Sequence, residues 1–143
     1  MIHGKIVMED GAVILFVLYP EYAPNTVANF VRLAKEHFYD GLTFHRVIKG
    51  FVSQGGDPKG DGTGELDYLI KNENEGNPLK HKAGAIAMAH RGRDTASCQF
   101  YITHAPQPHL DQDYTVFGEV VENLDAVIEM VPGARMKSVI IDD

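Results

Sequence analysis

Between Phe44 and Asp57 the chain reads FHRVIKGFVSQGGD, which sets a permanent cation, Arg46, and a side-chain amide, Gln54, on either side of an apolar pair, Phe51 and Val52. Covalent catalysis needs a nucleophile beside a base and an orienting group, and no such pattern stands out here. The same residue classes return downstream in AIAMAH (85–90), SCQFYIT (97–103) and HLDQDYTVFGEV (109–120). Taken alone, Arg46 reads as a surface charge or half of a salt bridge. The recurrence makes it a candidate for a chemistry that uses a cation, an amide and an apolar wall, with neither nucleophile nor metal.

Other candidate chemistries are weaker. The histidines at 3, 37, 45, 81, 90, 104 and 109 form no HExxH and accompany no paired CxxC, so a metal centre is not expected and most read as loop or surface imidazoles. GDGTG (60–64) lacks the Lys-Ser/Thr of a phosphate-cradling loop and reads as a flexible turn. The lone Cys98 reads as a small buried hydrophobe, and Asp94 and Asp111 as loop residues. No cofactor is implied.

Stepping outward, IHGKIVM and GAVILFVL flank the Asp-Gly connection of EDG, which predicts a hairpin. From Pro24 the residues Val27, Phe30, Val31 and Ala34 share one helical face, predicting a helix that ends near His37. Short β-like stretches follow at Thr43–Val47, Phe51–Gln54, Ala85–Ala89, Gln99–Ile102 and Thr115–Val121, then a short helix over Leu124–Val131 and a last strand in MKSVIID. Many short strands with few helices predict a closed or nearly closed antiparallel sheet.

At 143 residues, without repeats or a linker-like composition shift, the chain is expected to form one domain over 1–143. A formal charge of -7 repels a phosphate backbone, so nucleic acid is not an expected partner. AVILFVL (12–18), the longest apolar run, is far shorter than the roughly 20 residues that span a bilayer. The start shows no signal-peptide pattern and one cysteine cannot pair internally, so the expected address is cytoplasmic.

APNTVANFVRLAKEHFYDGLTFHRVIKGFVSQGGD and TVFGEVVENLDAVIEM, with the three downstream segments, resemble the cyclophilin family of peptidyl-prolyl cis/trans isomerases over almost the whole chain. The resemblance implies a mainly β fold, an eight-stranded antiparallel barrel capped by two helices, and rotation about X-Pro bonds in peptides and folding proteins. It implies Arg46 as the donor to the prolyl nitrogen, with Gln54 and Phe51 in the same catalytic group. Gln99 and backbone groups around Ala89 and His90 would bind the substrate main chain. Val52, Tyr101 and Leu110, with Phe51, would seat the proline ring, and Tyr114 would offer a hydroxyl at the rim. Gly62 joins the substrate-binding set, and Thr63 and Arg91 lie where the family has a second, shallower pocket.

This sequence departs from the best-known members, which have Met, Phe and His where Val52, Tyr101 and Tyr114 stand. His109 replaces a Trp whose indole N–H donates to cyclosporin, so weakened drug binding with retained activity is expected. A monomer is expected, since no heptad or acidic tail points to a fixed partner. The competing reading, a module that binds proline peptides without turning them over, leaves Arg46 without a purpose, and a hydrolase lacks its nucleophile and base.

Overall fold

The Asp-Gly connection forms the predicted hairpin. Strands β1 (Ile2–Met8) and β2 (Val13–Leu18) pair antiparallel from Ile2↔Leu18 to Val7↔Val13 in the computed structural model, which describes residues 1–142. Gly11 takes φ +95 at the turn, and the Asp10 carboxylate accepts the Ala12 N–H at 2.9 Å.

Helix α1 (Pro24–Lys35) starts at the expected proline and buries Val27, Phe30, Leu33 and Ala34 on one face. Its N-cap, Ala23, has no capping side chain. Glu73 reaches in from a distant loop instead, accepting from the backbone N–H groups of Asn25 and Thr26 at 3.2 and 2.7 Å. The helix stops before His37, which adopts a left-handed φ of +63.

The strands β3 (Thr43–Phe44), β4 (Arg46–Ile48), β5 (Val52–Gly55), β6 (Ala85–Met88), β7 (Phe100–Thr103), β8 (Val116–Glu122) and β9 (Ala134–Ile141) complete an antiparallel sheet in the order β3-β9-β1-β2-β8-β6-β7-β5-β4. A short helix, α2 (Leu124–Glu129), precedes β9. The described residues thus carry nine strands rather than the eight expected. The difference has one cause: Thr43–Val47, expected as one strand, breaks at His45. Its first part pairs with β9 and its second with β5, the two ends of the sheet order. The chain itself therefore bridges the seam of a nearly closed barrel.

At the seam the backbones nearly touch. A Cβ on Gly55 would lie 2.7 Å from the Thr43 carbonyl oxygen and 2.9 Å from the Phe44 ring, so only glycine fits.

Phe30 of α1 is the hub of the barrel interior. Its ring meets Phe16 and Phe100 edge-on at 6.0 and 5.3 Å and lies tilted against Tyr39 and Phe117 at 5.2 and 5.4 Å. Val127 of α2 is buried in the same cluster. A second, smaller cluster of Val52, Ala85, Ala87, Tyr101 and Val116 forms on the other face of β5 to β8. Asparagine side chains fasten the 72–77 loop beside it: Asn72, Asn74 and Asn77 donate to the carbonyls of Asp113, Tyr114 and Val116 at 2.8 to 2.9 Å.

Candidate active site

Strand alternation sends Ile86, Met88, Phe100 and Ile102 into the barrel and turns Ala85, Ala87 and Tyr101 outward. Ala85 and Ala87 are buried beneath neighbouring residues, while Tyr101 reaches a cleft of about 350 Å³ framed by the surrounding loops.

One wall of the cleft is polar and wired in one direction. Arg46 and Gln54 are cross-strand partners on β4 and β5, and the exposed guanidinium donates to Gln54 Oε1 at 3.3 Å. A guanidinium has only donors, so Gln54 must present its oxygen and send its Nε2 to Gln99 Oε1 at 3.0 Å. Gln99 Nε2 in turn donates to the Gly64 and Gly62 carbonyls at 2.9 and 3.2 Å. Among the described residues no carboxylate pairs with Arg46, which instead stands 5.8 Å from the centre of the Phe51 ring.

The other walls are apolar. Phe51, Val52, Ala89, Tyr101, Leu110 and Tyr114 all line the cleft. Tyr114 packs edge-on to Tyr101 at 5.8 Å and stacks on His90 at 4.2 Å. His90 Nδ1 accepts the Gly92 N–H at 3.2 Å, so the opposite nitrogen, Nε2, carries the proton and donates to the Asp113 carbonyl at 2.7 Å.

The 57–64 loop that Gln99 grips is ordered from inside. Asp57 is buried at 1 % exposure and accepts the N–H groups of Lys59, Asp61 and Gly62. Burial alone would raise its pKa, but these donors and that of Gly64 outweigh it and hold the carboxyl below its usual range. GDGTG is thus a braced loop rather than a free turn: the Asp61 and Gly62 N–H groups donate to the Asp57 carboxylate, that of Thr63 to the Asp61 carboxylate and that of Gly60 to the Asp57 carbonyl.

A model of the family described as cyclophilin type peptidyl-prolyl cis-trans isomerase/CLD matches residues 5–142. The chain belongs to this family. Relatives of this cyclophilin include peptidyl-prolyl cis-trans isomerase B of Bacillus subtilis, 60% identical over 95% of both chains. A peptidyl-prolyl cis-trans isomerase of Synechococcus elongatus is 56% identical, covering 82% of this chain and 81% of its own. The crystal structure of a cyclophilin-type isomerase from Cryptosporidium parvum superposes with a TM-score of 0.88 at 28% identity, covering 99% of this chain and 97% of that one. Two features shown by the family and its relatives are plain: the chain is a peptidyl-prolyl cis-trans isomerase, and its fold is the cyclophilin barrel.

Within this cyclophilin, Arg46, Phe51, Val52, Gln54, Gly62, Ala89, His90, Gln99, Tyr101, Leu110 and Tyr114 meet in the cleft, and Arg91 joins them, donating to the Gly62 carbonyl at 3.2 Å. Thr63 and His109 do not line it. Thr63 is exposed and folds back onto Asp61, its hydroxyl donating at 2.6 Å, while His109 stacks on the outer side of Phe51 at 6.1 Å. Sequence reasoning missed the contributions of His45 and Ser97, which sit within FHRVIKGFVSQGGD and SCQFYIT without a residue type that singles them out, and of Glu65, from a loop with no local signature; all three line the cleft. Cys98 is fully buried beside it, as expected of a lone cysteine, and burial pushes its thiol up to about 11.

Two histidines are not the surface imidazoles expected. His81 and His104 are 2 % and 5 % exposed, and Asp111, expected as a loop residue, is bonded to His81. His104 accepts the Gly50 N–H on Nδ1 at 3.1 Å, so its Nε2–H faces Ser53 Oγ at 2.8 Å and the serine donates to the Val127 carbonyl at 3.1 Å. With its base holding the proton on the serine side, this pair is a brace between the β4–β5 turn and α2, not a nucleophile with its base. Among the described residues no group of three or more His, Cys, Asp or Glu converges as metal ligands.

Proposed function

We propose that this isomerase turns X-Pro bonds in the cleft with Arg46 as the donor at the transition state. The observation that carries the reading is the state of that guanidinium: held by Gln54, set against Phe51 and free of any carboxylate partner at the edge of an apolar seat.

Rotation about an X-Pro bond breaks amide resonance against a barrier of about 20 kcal/mol. At the twisted midpoint the prolyl nitrogen loses conjugation, becomes pyramidal and accepts a hydrogen bond that the planar ground state does not. A donor aimed there binds the transition state more strongly than the substrate, and so speeds the reaction without forming a bond. Phe51, Val52, Tyr101 and Leu110 hold the pyrrolidine ring, so the acyl side rotates against a fixed point. Gln54 aims the guanidinium. Gln99 holds the 62–64 loop through its amide nitrogen and keeps a lone pair on Oε1 for the substrate main chain, beside the backbone at Ala89 and His90. Arg91, at the Gly62 end of the cleft, favours acidic residues ahead of the proline.

The chain acts as one catalytic unit, a cytoplasmic monomer, on proline-containing peptides and folding proteins. No helix among the described residues is long and apolar enough to cross a membrane. Cyclosporin binds weakly, because His109 lies flat on Phe51 and offers no indole N–H.

The test is the cis-to-trans exchange rate of an Ala-Pro-Phe peptide, followed without a coupling protease, in wild type and Arg46→Ala. A fall of about 10²- to 10³-fold in turnover with peptide affinity little changed is the expected result. Unchanged turnover would place the donor elsewhere, and binding without turnover in the wild type would leave a proline-peptide module.

A further inference from the structure

His81 lies beneath the cleft with every polar group engaged. Its backbone N–H donates to Asp111 Oδ1 and its carbonyl accepts from the Gln107 N–H, both at 2.7 Å. Its ring Nδ1 lies 2.8 Å from the same Asp111 oxygen, and Nε2 lies 2.7 Å from the Tyr101 hydroxyl. An ionised carboxylate only accepts, so Nδ1 carries the proton. In the neutral ring Nε2 is then an acceptor, and the Tyr101 O–H donates to it.

Each group's surroundings favour this arrangement. Burial disfavours the charged imidazole and lowers its pKa, against the pull of Asp111 and with a small push from His109. Burial would raise Asp111, but the two His81 donors and nearby Lys80 outweigh it and keep the carboxyl ionised. Burial pushes the Tyr101 hydroxyl up, with Tyr114 and Asp111 adding to the effect, so it remains a donor.

The two ends of this chain of bonds belong to different walls of the cleft. Tyr101 sits in the middle of β7 and turns its ring to the cleft. Asp111 closes the short 3-10 turn Pro108–Leu110, which carries Leu110 into the cleft and His109 onto Phe51. The imidazole also lies nearly parallel to the Tyr101 ring, at 5.8 Å and 16°. We propose that His81 is a positioning residue for the isomerase reaction, fixing through Asp111 and Tyr101 the spacing between the tyrosine ring and the Leu110 turn. That spacing is the width of the proline seat. The inference rests on the reading of Phe51, Val52, Tyr101 and Leu110 as that seat.

The kinetic signature differs from that of the donor. The pyrrolidine ring does not rotate during the reaction, so its seat holds ground state and transition state alike. Loosening it weakens uniform binding, which raises KM and leaves kcat in place.

The experiment measures kcat and KM for an Ala-Pro peptide by exchange spectroscopy in wild type, His81→Phe, Tyr101→Phe and the double variant. His81→Phe is expected to raise KM about tenfold with kcat within about twofold, and to change KM by less than about twofold when Tyr101→Phe is already present. A wild-type KM in a folded His81→Phe protein overturns the proposal. So does an equal rise in both backgrounds, or a loss confined to kcat. Should the His81 variants not fold, long-range 15N spectra of the wild type decide: an Nδ1–H tautomer at neutral pH is required, and an Nε2–H tautomer overturns the chain of bonds. Peptide titration of the wild type separates the two readings. Tyr101 and Leu110 signals that stay still during turnover refute the seat. Signals that move, beside a KM indifferent to His81→Phe, refute the positioning role alone.

Discussion

The two faces of β6 and β7 are made from alternating residues of the same short segments, AIAM and FYIT, yet they are built to different ends. The inner face carries Ile86, Met88, Phe100 and Ile102 into a dry cluster where aromatic rings interlock around Phe30. The outer face carries Ala85, Ala87 and Tyr101, and of these Tyr101 reaches the cleft that the surrounding loops complete. Stability and function are thus separated by the direction in which a side chain points, one residue apart in sequence. The inner face tolerates no gap; the outer face borders one.

The comparison breaks most clearly if an inner ring is removed. Phe100→Ala is expected to cost about 3–5 kcal/mol of unfolding free energy, read from denaturant melts, because it removes contacts with Phe30, Phe44 and Tyr39 at once. A loss below about 1 kcal/mol would mean that the interior is less tightly packed than its rings suggest.

The opposite result is expected at the cleft edge. Arg46→Lys keeps a charge but loses the planar fork, and should lower turnover by about tenfold or more while shifting stability by less than about 0.5 kcal/mol, since the side chain is exposed. Calorimetry beside exchange kinetics checks both halves. Equal losses in melting and turnover would erase the separation of the faces.

A smaller effect concerns the rim. His109→Trp adds an indole N–H where His109 now lies on Phe51, and is expected to tighten cyclosporin binding by about 1 kcal/mol, roughly fivefold, in a calorimetric titration. A wild-type protein that already binds the drug in the low nanomolar range would remove the basis for this expectation.

The smallest effect is that of acid on stability. His81 and His104 are both held below the usual imidazole range, chiefly by burial. Below about pH 6.5 the unfolded chain therefore takes up protons that the folded chain refuses, so their contribution is complete above that pH and is lost as pH falls. Asp57 and Asp111, held below the carboxylate range, add a second loss at lower pH. Melting temperature should decline in these two stages, and His104→Asn should remove part of the first. A melting temperature that rises between pH 7 and 5.5 would contradict the sign.

Much of this could be read from sequence where one period dominates. The β1–β2 hairpin and the Val27, Phe30, Ala34 face of α1 are legible because turn chemistry and spacing agree. AIAM and FYIT are not legible as two-faced strands, because loops cover the outer side and both faces are buried. The break at His45 is set by which strands lie on either side of residues 43–48, a tertiary fact. The bonds from Asp57 to its loop are local, but a carboxylate followed by glycines also describes an ordinary turn. The chain from Asp111 through His81 to Tyr101 joins three segments, and each residue alone looks unremarkable. Arg46 and Gln54 could be singled out because their cross-strand pairing puts them close in sequence, although their roles come from the family resemblance.

The seam has a kinetic meaning as well. Arg46 lies just past the break at His45, in the segment whose first residues pair with β9 near the end of the chain and whose last residues pair with the neighbouring β5. The local β4–β5 hairpin can form early, but contacts between distant parts of a chain form slowly. During refolding, then, the hairpin that carries Arg46 can be complete while its place beside the cleft is not. Recovered turnover would mark the moment at which the two ends of the sheet meet, later than any signal from secondary structure.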